Sequence, residues 1–448
     1  MRKSVSEIIK ILSKFSNTPD NLLPALFEIK KKTKKWDFQI ISEIAEFFNL
    51  PKSHIWGILS FYHIFEIGPA KKISRAKEKA AKVKIPIRLR GPLLKKSGGI
   101  EFFSKIKELT TEEIIKKITA SGLTGRGGAC FPAGKKWEAV FEASRRKNSS
   151  PVIICNAYEA EPDVFKDRVL LEENPRLVVE GILIAAKTLD AIDGYVYLNP
   201  YYKKAFKKLS PVLKEAKKTL PDFNFKIFIG GGNYICGEET ALLESMEGRR
   251  GEPRQKPPFP TISGLFNRPT LINNAETFAN IPLIFSGGYK NTKLFCVSGK
   301  AAKTAGIFEL PAETKINDLI FEFGGAEKEK IGFIQIGGFG GKISRPEELK
   351  NGIIASGAAA VSIEPKNKKL ADILRERAGF FASESCGKCA PCREGTSQIS
   401  EILKKKNLSE KDKKRIDDLI FALKEASFCA FGSLAAVPIS SFLRGNGE

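Results

Sequence analysis

Apolar residues recur at helical spacing from the start of the chain, in Val5-Ile8-Ile9-Leu12, Leu22-Leu23-Leu26-Ile29 and Ile40-Ile41-Ile44-Phe47. Positions three and four apart share one helix face, so residues 1 to about 65 are expected to form two or three antiparallel helices, with Asp20 and Ser42 as caps or first-turn residues. Lys71 to Arg90 holds few large apolar residues before Ile85 and reads as a basic linker or an exposed helix. Beyond about residue 95 the pattern changes. Short β-branched and aromatic runs at 152–155, 194–198 and 225–229 alternate with helical stretches at 176–189 and 202–220, which predicts an α/β layered domain. From 293 to about 365 short strands, 294–297 and 332–336, are set among glycine-rich turns with one helical stretch at 316–323, predicting a small β-rich α+β domain. Helical periodicity returns from Leu370. The expected fold is therefore multidomain, α/β plus α, divided as 1–68 (helical), 69–94 (basic linker), 95–288 (α/β), 289–366 (β-rich) and 367–448 (helical).

Composition adds few constraints. At 448 residues with 42% hydrophobic and 10% aromatic content the chain is neither disordered nor fibrous. No apolar run approaches the roughly 20 residues that cross a bilayer, so no direct membrane insertion is expected. The net charge of +23 raises nucleic acid as a partner, but the cations are spread over lysine-rich faces without a zinc-finger or aromatic-interleaved motif, and no nucleic acid is expected. The first hundred residues hold 21 Lys and Arg against 8 Asp and Glu, which suits either an acidic partner surface or a lysine-rich composition without further meaning.

Half of the eight cysteines fall in one constellation, Cys386-x2-Cys389-x2-Cys392 followed by Cys429. Three thiols at this spacing converge on a tight turn and a distant fourth closes the shell, the usual ligand set of a 4Fe-4S cluster. Backbone N–H groups near Gly387 and Lys388 would bond the cluster sulfurs, and Lys388 and Arg393 would offset thiolate charge. A four-cysteine zinc site is the alternative, although zinc more often takes two C-x2-C pairs. Cys130, Cys155, Cys236 and Cys296 are scattered singly and no secretory signal pattern opens the sequence, so a disulfide framework is disfavoured and a cytoplasmic location is expected, with at most peripheral attachment to the membrane through a complex.

Residues 121–137 pack five glycines and three cations into seventeen positions, a loop whose backbone N–H groups approach an anion closely with Arg126 and Lys136 adding charge. It is neither a Walker A loop, since Lys136 stands where Ser or Thr should bind magnesium, nor G-x-G-x-x-G. Cys155-Asn156-Ala157-Tyr158-Glu159-Ala160-Glu161-Pro162 follows a strand and so falls where α/β sheets bind ligands. Gly230-Gly231-Gly232-Asn233-Tyr234-Ile235-Cys236-Gly237-Glu238-Glu239-Thr240 runs from a strand through glycines into a helix, and Ile272-Asn273-Asn274-Ala275-Glu276 adds two amides.

Taken together, these motifs resemble the NADH-binding flavoprotein subunit of respiratory complex I and its relatives in NAD-linked hydrogenases and formate dehydrogenases, over roughly residues 115 to 440. The resemblance implies FMN, NAD(H) and one 4Fe-4S cluster as cofactors. It places Gly125, Arg126, Gly127, Gly128 and Lys136 on FMN and nucleotide, and Asn156, Asn273 and Asn274 on FMN. It turns Phe131, Glu161, Glu238, Glu239, Lys256 and Phe259 toward the nicotinamide nucleotide, the two Phe by stacking, with Glu159 and Gly237 in the same cofactor-binding set. It assigns the cluster to Cys386, Cys389, Cys392 and Cys429, and the β-rich segment to a ubiquitin-like β-grasp domain. No catalytic side chain is implied, because hydride passes between cofactors with Glu161 and Glu238 nearby. The implied activity is NADH dehydrogenase or diaphorase, with single electrons leaving for a partner.

Several residues depart from that family's pattern. Tyr158 stands where the family carries a carboxylate near the flavin, Cys130 where it has glycine, and Ala133 where it has threonine. These changes motivate an alternative, a cluster-bearing scaffold that has lost flavin. The N-terminal segments Leu22–Leu26 and Leu50–Tyr62 resemble the helical start of the 2Fe-2S partner subunit, without its thioredoxin-like portion and without any cysteine before Cys130. They are expected to dock a separate thioredoxin-like 2Fe-2S subunit, alongside a larger iron–sulfur subunit, or to stabilise the flavoprotein face. His54 and His63, the only histidines, are expected to be ordinary polar residues of that bundle.

Overall fold

A computed structural model describes residues 2–33, 35–96, 103–354 and 357–443, so the outermost predicted bounds, 1 and 448, lie outside the described residues. Ten strands are present among them: β1 (Ile87–Leu89), β2 (Val152–Ala157), β3 (Asp193–Leu198), β4 (Asn224–Ile229), β5 (Thr270–Asn274), β6 (Thr292–Ser298), β7 (Gly306–Pro311), β8 (Ile331–Ile336), β9 (Lys342–Ser344) and β10 (Ala360–Pro365). They form a four-stranded parallel sheet ordered β4-β3-β2-β5 and a six-stranded mixed sheet ordered β1-β7-β6-β10-β8-β9.

The central strand β2 of the parallel sheet is a near-continuous apolar run because helices cover it, whereas the edge strand β4 is partly exposed. β2 is buried along almost its whole length, and the helix Pro175–Thr188 is nearly encased. The crossing of that helix with Ala275–Ser286 is so close that a side chain at Gly181 would run into the Phe278 carbonyl. From β2 the chain builds outward through β3 and β4, then returns to place β5 on the other side of β2. This reversal makes a crevice between the carboxyl ends of β2 and β5, the position where open α/β sheets bind ligands.

Four helices among the described residues precede residue 62 (Arg2–Leu12, Pro19–Lys30, Phe38–Phe48 and Lys52–Phe61), where apolar spacing predicted two or three. The third begins at Asp37, whose Oδ1 accepts from Ile40 N at 2.9 Å. Ser42, expected as a cap, lies inside it and returns its hydroxyl to the Phe38 carbonyl. These helices share one buried core with Tyr158, Tyr197 and Cys236 and with Phe381 and Cys392 of the C-terminal helices.

The segment expected as a basic linker or exposed helix divides in two. Ala70–Lys82 is a helix with a largely exposed outer face, while β1 joins the edge of the mixed sheet against β7. Glu309 then accepts from the N–H groups of Gly91, Leu93 and Leu94 at 2.8–3.1 Å. Edge pairing uses backbone groups, which the sparse apolar pattern of 85–94 did not reveal. Four helices follow the mixed sheet (Leu370–Glu384, Ala390–Leu403, Glu410–Ala426 and Ala430–Leu443).

Candidate functional site

Register brings the first residues together. β2 and β5 pair in parallel with Cys155 beside Asn273 and Asn156 beside Asn274, so three predicted amides sit at the mouth of the crevice. The Asn156 Nδ2 donates to the Gly237 carbonyl at 2.9 Å, tying β2 to the turn before Glu238. The Asn273 amide accepts from Trp137 Nε1 and donates to the Ile272 carbonyl, each at 3.1 Å, so it braces the helix Ala133–Lys147. Asn274 caps the helix Ala275–Ser286 through Glu276 N and bonds Asp167 at 2.6 Å.

The glycine loop lies against this mouth. A Cβ on Gly127 would meet the Asn274 side chain at 3.3 Å, and Gly128, at φ +122°, faces Gly357. Gly125 N donates to the Phe131 carbonyl at 2.9 Å. Arg126 is buried, donates its backbone N–H to Thr277 and Nη2 to Asn291 at 2.8 Å, and leaves Nε buried without a partner among the described residues. Lys136 reaches Glu239 and the Ile272 carbonyl. Cys130 holds φ +52°, a left-handed conformation that favours glycine.

Glu238 caps the helix Glu239–Met246, accepting from Thr240 N at 2.8 Å and Ala241 N at 2.9 Å, and pairs with Lys256 Nζ at 2.8 Å. Phe131 and Phe259 are 52% and 54% exposed, two open aromatic faces. Glu161 is partly buried, and its desolvation raises its carboxyl, while the Tyr234 hydroxyl and Phe339 N (2.6 Å) donate to it.

Two predicted residues turn elsewhere. Glu159 accepts from Asp167 N at 3.0 Å and Arg168 N at 3.2 Å, holding the start of the helix Lys166–Glu173, and burial with Asp167 nearby pushes it up to about 7. Beside it, burial alone would lower Lys166, but Asp167 and Glu276 carry it up. Tyr158, expected near a flavin, is buried with its ring 5.1 Å from Tyr197, and its phenol oxygen accepts from Gly232 N at 2.6 Å. It supports the Gly230–Gly232 loop from below.

The four candidate cluster cysteines fall in and around the starts of two helices that pack together. Cys386 lies in the loop after Leu370–Glu384, Cys389 is the N-cap of Ala390–Leu403, Cys392 sits in that helix's first turn, and Cys429 immediately precedes Ala430–Leu443. Helix N-termini favour thiolates. Gly387 takes φ +82°, with Arg393 Nη1 donating to its carbonyl at 2.7 Å, and Lys388 donates to the Pro253 carbonyl at 2.6 Å. Burial, with the neighbouring cluster thiols adding to it, pushes Cys392 up to about 12 and Cys429 to about 11. Among the described residues no three His, Cys, Asp or Glu side chains close around a single ion position. In a cubane each thiolate binds a different iron, so a single shared ion position is not required. Arg250 Nη2 donates to the Cys386 carbonyl at 3.3 Å, so the segment leading to Lys256, the partner of Glu238, lies against the cluster loop.

Three residues carry contacts that no sequence pattern marks. Tyr234 donates its hydroxyl to Glu161, gives its N–H to Glu384 at 2.7 Å, and packs its ring on Phe380 and Phe431. Glu384 and Phe339 complete that junction. Tyr234 lies within the Gly230–Thr240 motif, but nothing local distinguishes it as a hub.

Comparison with known proteins follows the same division. The Nuo51 FMN-binding domain family matches residues 118–283, and the NADH-ubiquinone oxidoreductase-F iron-sulfur binding region matches 372–446. The chain is 36% identical over 374 residues to the F-type subunit of NADH-quinone oxidoreductase in Aquifex aeolicus (strain VF5), covering 76% of this chain and 85% of that one. It is 34% identical over 380 residues to the NADP-reducing hydrogenase subunit HndC of Solidesulfovibrio fructosivorans, covering 77% and 76%. Among solved structures, a chain of an NAD+-reducing NiFe hydrogenase in the H2-reduced state superposes with TM-score 0.84 at 26% identity, covering 96% of this chain and 91% of that one.

Proposed function

The chain belongs to the family of F-type subunits of NADH-quinone oxidoreductase and their hydrogenase-linked relatives, and from that premise we propose how its own residues carry out NADH oxidation. It is an NADH-oxidising subunit with FMN and one 4Fe-4S cluster, working in a complex I-like or NAD-reducing hydrogenase assembly. FMN, when bound, accepts hydride and releases electrons singly, which an iron–sulfur cluster requires.

The residues divide the work by position. Gly125–Gly128 and the amides Asn156, Asn273 and Asn274 form the floor of the crevice, where the unpaired Arg126 Nε and Lys136 provide donors for a phosphate-bearing flavin. Phe131 and Phe259 offer stacking faces to the nucleotide, and Glu238, Glu239 and Lys256 bracket its polar parts. Glu161 and Tyr234 form the wall toward the cluster. Cys386, Cys389, Cys392 and Cys429 hold the iron. The observation that carries this reading is the bond from Tyr234 N to Glu384 at 2.7 Å, which ties the turn leading to Glu238 to the helix that ends two residues before Cys386 and so sets the hydride-accepting crevice beside the one-electron exit.

The scaffold alternative rests on Tyr158, Cys130 and Ala133 spoiling the flavin site; the match to the FMN-binding domain family over 118–283 favours a flavin-binding chain, and the Tyr158 phenol is engaged with Gly232. We further propose that the mixed sheet is the family's β-grasp domain and that the acceptors are a thioredoxin-like 2Fe-2S subunit and a larger iron–sulfur subunit. The proposed location is cytoplasmic. Among the described residues no helix is long and apolar enough to cross a membrane.

The test is the visible spectrum of anaerobically purified protein with and without NADH, with the flavin extracted and identified. Flavin bands that bleach over a broad iron–sulfur shoulder support the reading, and a shoulder without flavin after FMN reconstitution contradicts it.

A further inference from the structure

A buried ion pair joins the N-terminal helices to both halves of the redox site. Glu384 ends the helix before the cluster loop, two residues ahead of Cys386, with its side chain 1% exposed. One oxygen accepts from Lys77 Nζ at 2.5 Å, and the other accepts from Tyr234 N at 2.7 Å. Tyr234 heads the short helix Tyr234–Gly237, which delivers Glu238. Lys77 comes from the basic helix Ala70–Lys82 and spends a second donor on the Gly232 carbonyl at 2.8 Å.

The same segment is anchored around this pair. His63 N donates to Asn233 Oδ1 at 3.0 Å, Asn233 Nδ2 to the Phe61 carbonyl at 2.9 Å, and Ile64 N to the Gly231 carbonyl at 3.1 Å. The His63 ring stands 3.8 Å from Glu384. One carboxylate therefore clamps the nucleotide-side turn and the cluster-side loop, and its counter-charge is lent by a segment outside both family-matched regions.

We infer that Lys77 and Glu384 are positioning residues for electron transfer: through the Tyr234 N–H they fix the turn bearing Glu238 against the loop bearing Cys386. The inference rests on the proposed function for its meaning. Neither side chain touches a reacting atom. Without Lys77 a buried carboxylate loses its cation and must be resolvated or turn away, releasing Tyr234. The lysine-rich helix, on this account, sets an internal distance with one face whatever its outer face meets.

The test compares wild type, Lys77→Met, Lys77→Arg and the double variant Lys77→Met with Glu384→Gln as full chains. Amide hydrogen exchange on the cofactor-free chain should rise at least about tenfold at residues 232–238 and 385–389 in Lys77→Met, with wild-type protection in β2, β3 and β5. Lys77→Arg should restore most of it. In the loaded protein the paramagnetic resonance spectrum and reduction potential of the cluster should shift in Lys77→Met and return in Lys77→Arg. The double variant leaves no unpaired charge and replaces Lys77→Met if that chain fails to fold. It should keep the Tyr234 contact and give smaller exchange changes in the same two segments. Wild-type exchange there, or an increase spread evenly over the chain, overturns the inference, as does an unchanged cluster spectrum. Failure of NADH to bleach wild-type flavin contradicts the proposed function alone, because the exchange experiment needs no cofactor.

Discussion

Single residues divide by whether their meaning is local. The cluster cysteines were legible because Cys386, Cys389 and Cys392 share one turn and the ligand spacing is itself the signal. Tyr234, Glu384 and Lys77 were not, since the bond from Tyr234 to Glu384 spans 150 positions and no pattern announces it. Tyr158 shows a related limit: its motif position points at a ligand, and only the fold reveals that its side chain also holds Gly232 and packs on Tyr197. Cys130 stands in place of the family's glycine, and its φ of +52° bears the cost. Cys130→Gly should stabilise the chain by about 1 kcal/mol, seen as a higher thermal midpoint. Phe259→Ala should raise KM for NADH about fivefold, a loss of about 1 kcal/mol of stacking, and leave the melting temperature unchanged because the ring is more than half exposed.

At the scale of elements, periodicity located β2, β3 and β4 and the helices Pro175–Thr188 and Lys203–Thr219 of the α/β region, but not β5 or the helices Thr111–Ala120, Ala133–Lys147, Lys166–Glu173 and Ala275–Ser286. It undercounted the N-terminal helices and missed β1, which owes its place to backbone pairing. The junction of those helices with the Gly230–Gly232 loop has measurable consequences. Tyr62 fills the space beside Gly231 and donates its hydroxyl to the Arg249 carbonyl at 2.6 Å. Tyr62→Ala should cost about 3 kcal/mol in chemical denaturation, and Tyr62→Phe about 1 kcal/mol. His63, expected to be an ordinary polar residue, is held by burial at about 4, against 6.5 when free. Between those values the unfolded chain binds a proton that the folded chain refuses, so stability is full above about pH 6.5 and falls as pH drops toward 4. The loss should reach about 3 kcal/mol, and His63→Gln should flatten that limb of the stability profile.

For the whole molecule, the topology explains why hydride and single-electron chemistry share one chain. The strand-order reversal at β2 and β5 opens the crevice, the Gly237–Glu239 turn forms its rim, and the Tyr234–Glu384 bond ties that rim to the loop bearing Cys386. Family resemblance supplied the cofactors, while the distances between their binding residues required the fold. The most direct test of this coupling is low-temperature paramagnetic resonance of the wild-type and Cys429→Ser proteins after anaerobic addition of NADH, with flavin absorbance followed in the same samples. The account predicts bleached flavin and a reduced-cluster signal in wild type, and bleached flavin without that signal in Cys429→Ser. A wild-type sample whose flavin bleaches while its intact cluster stays silent even to a stronger chemical reductant, or a variant that keeps the full signal, would contradict it.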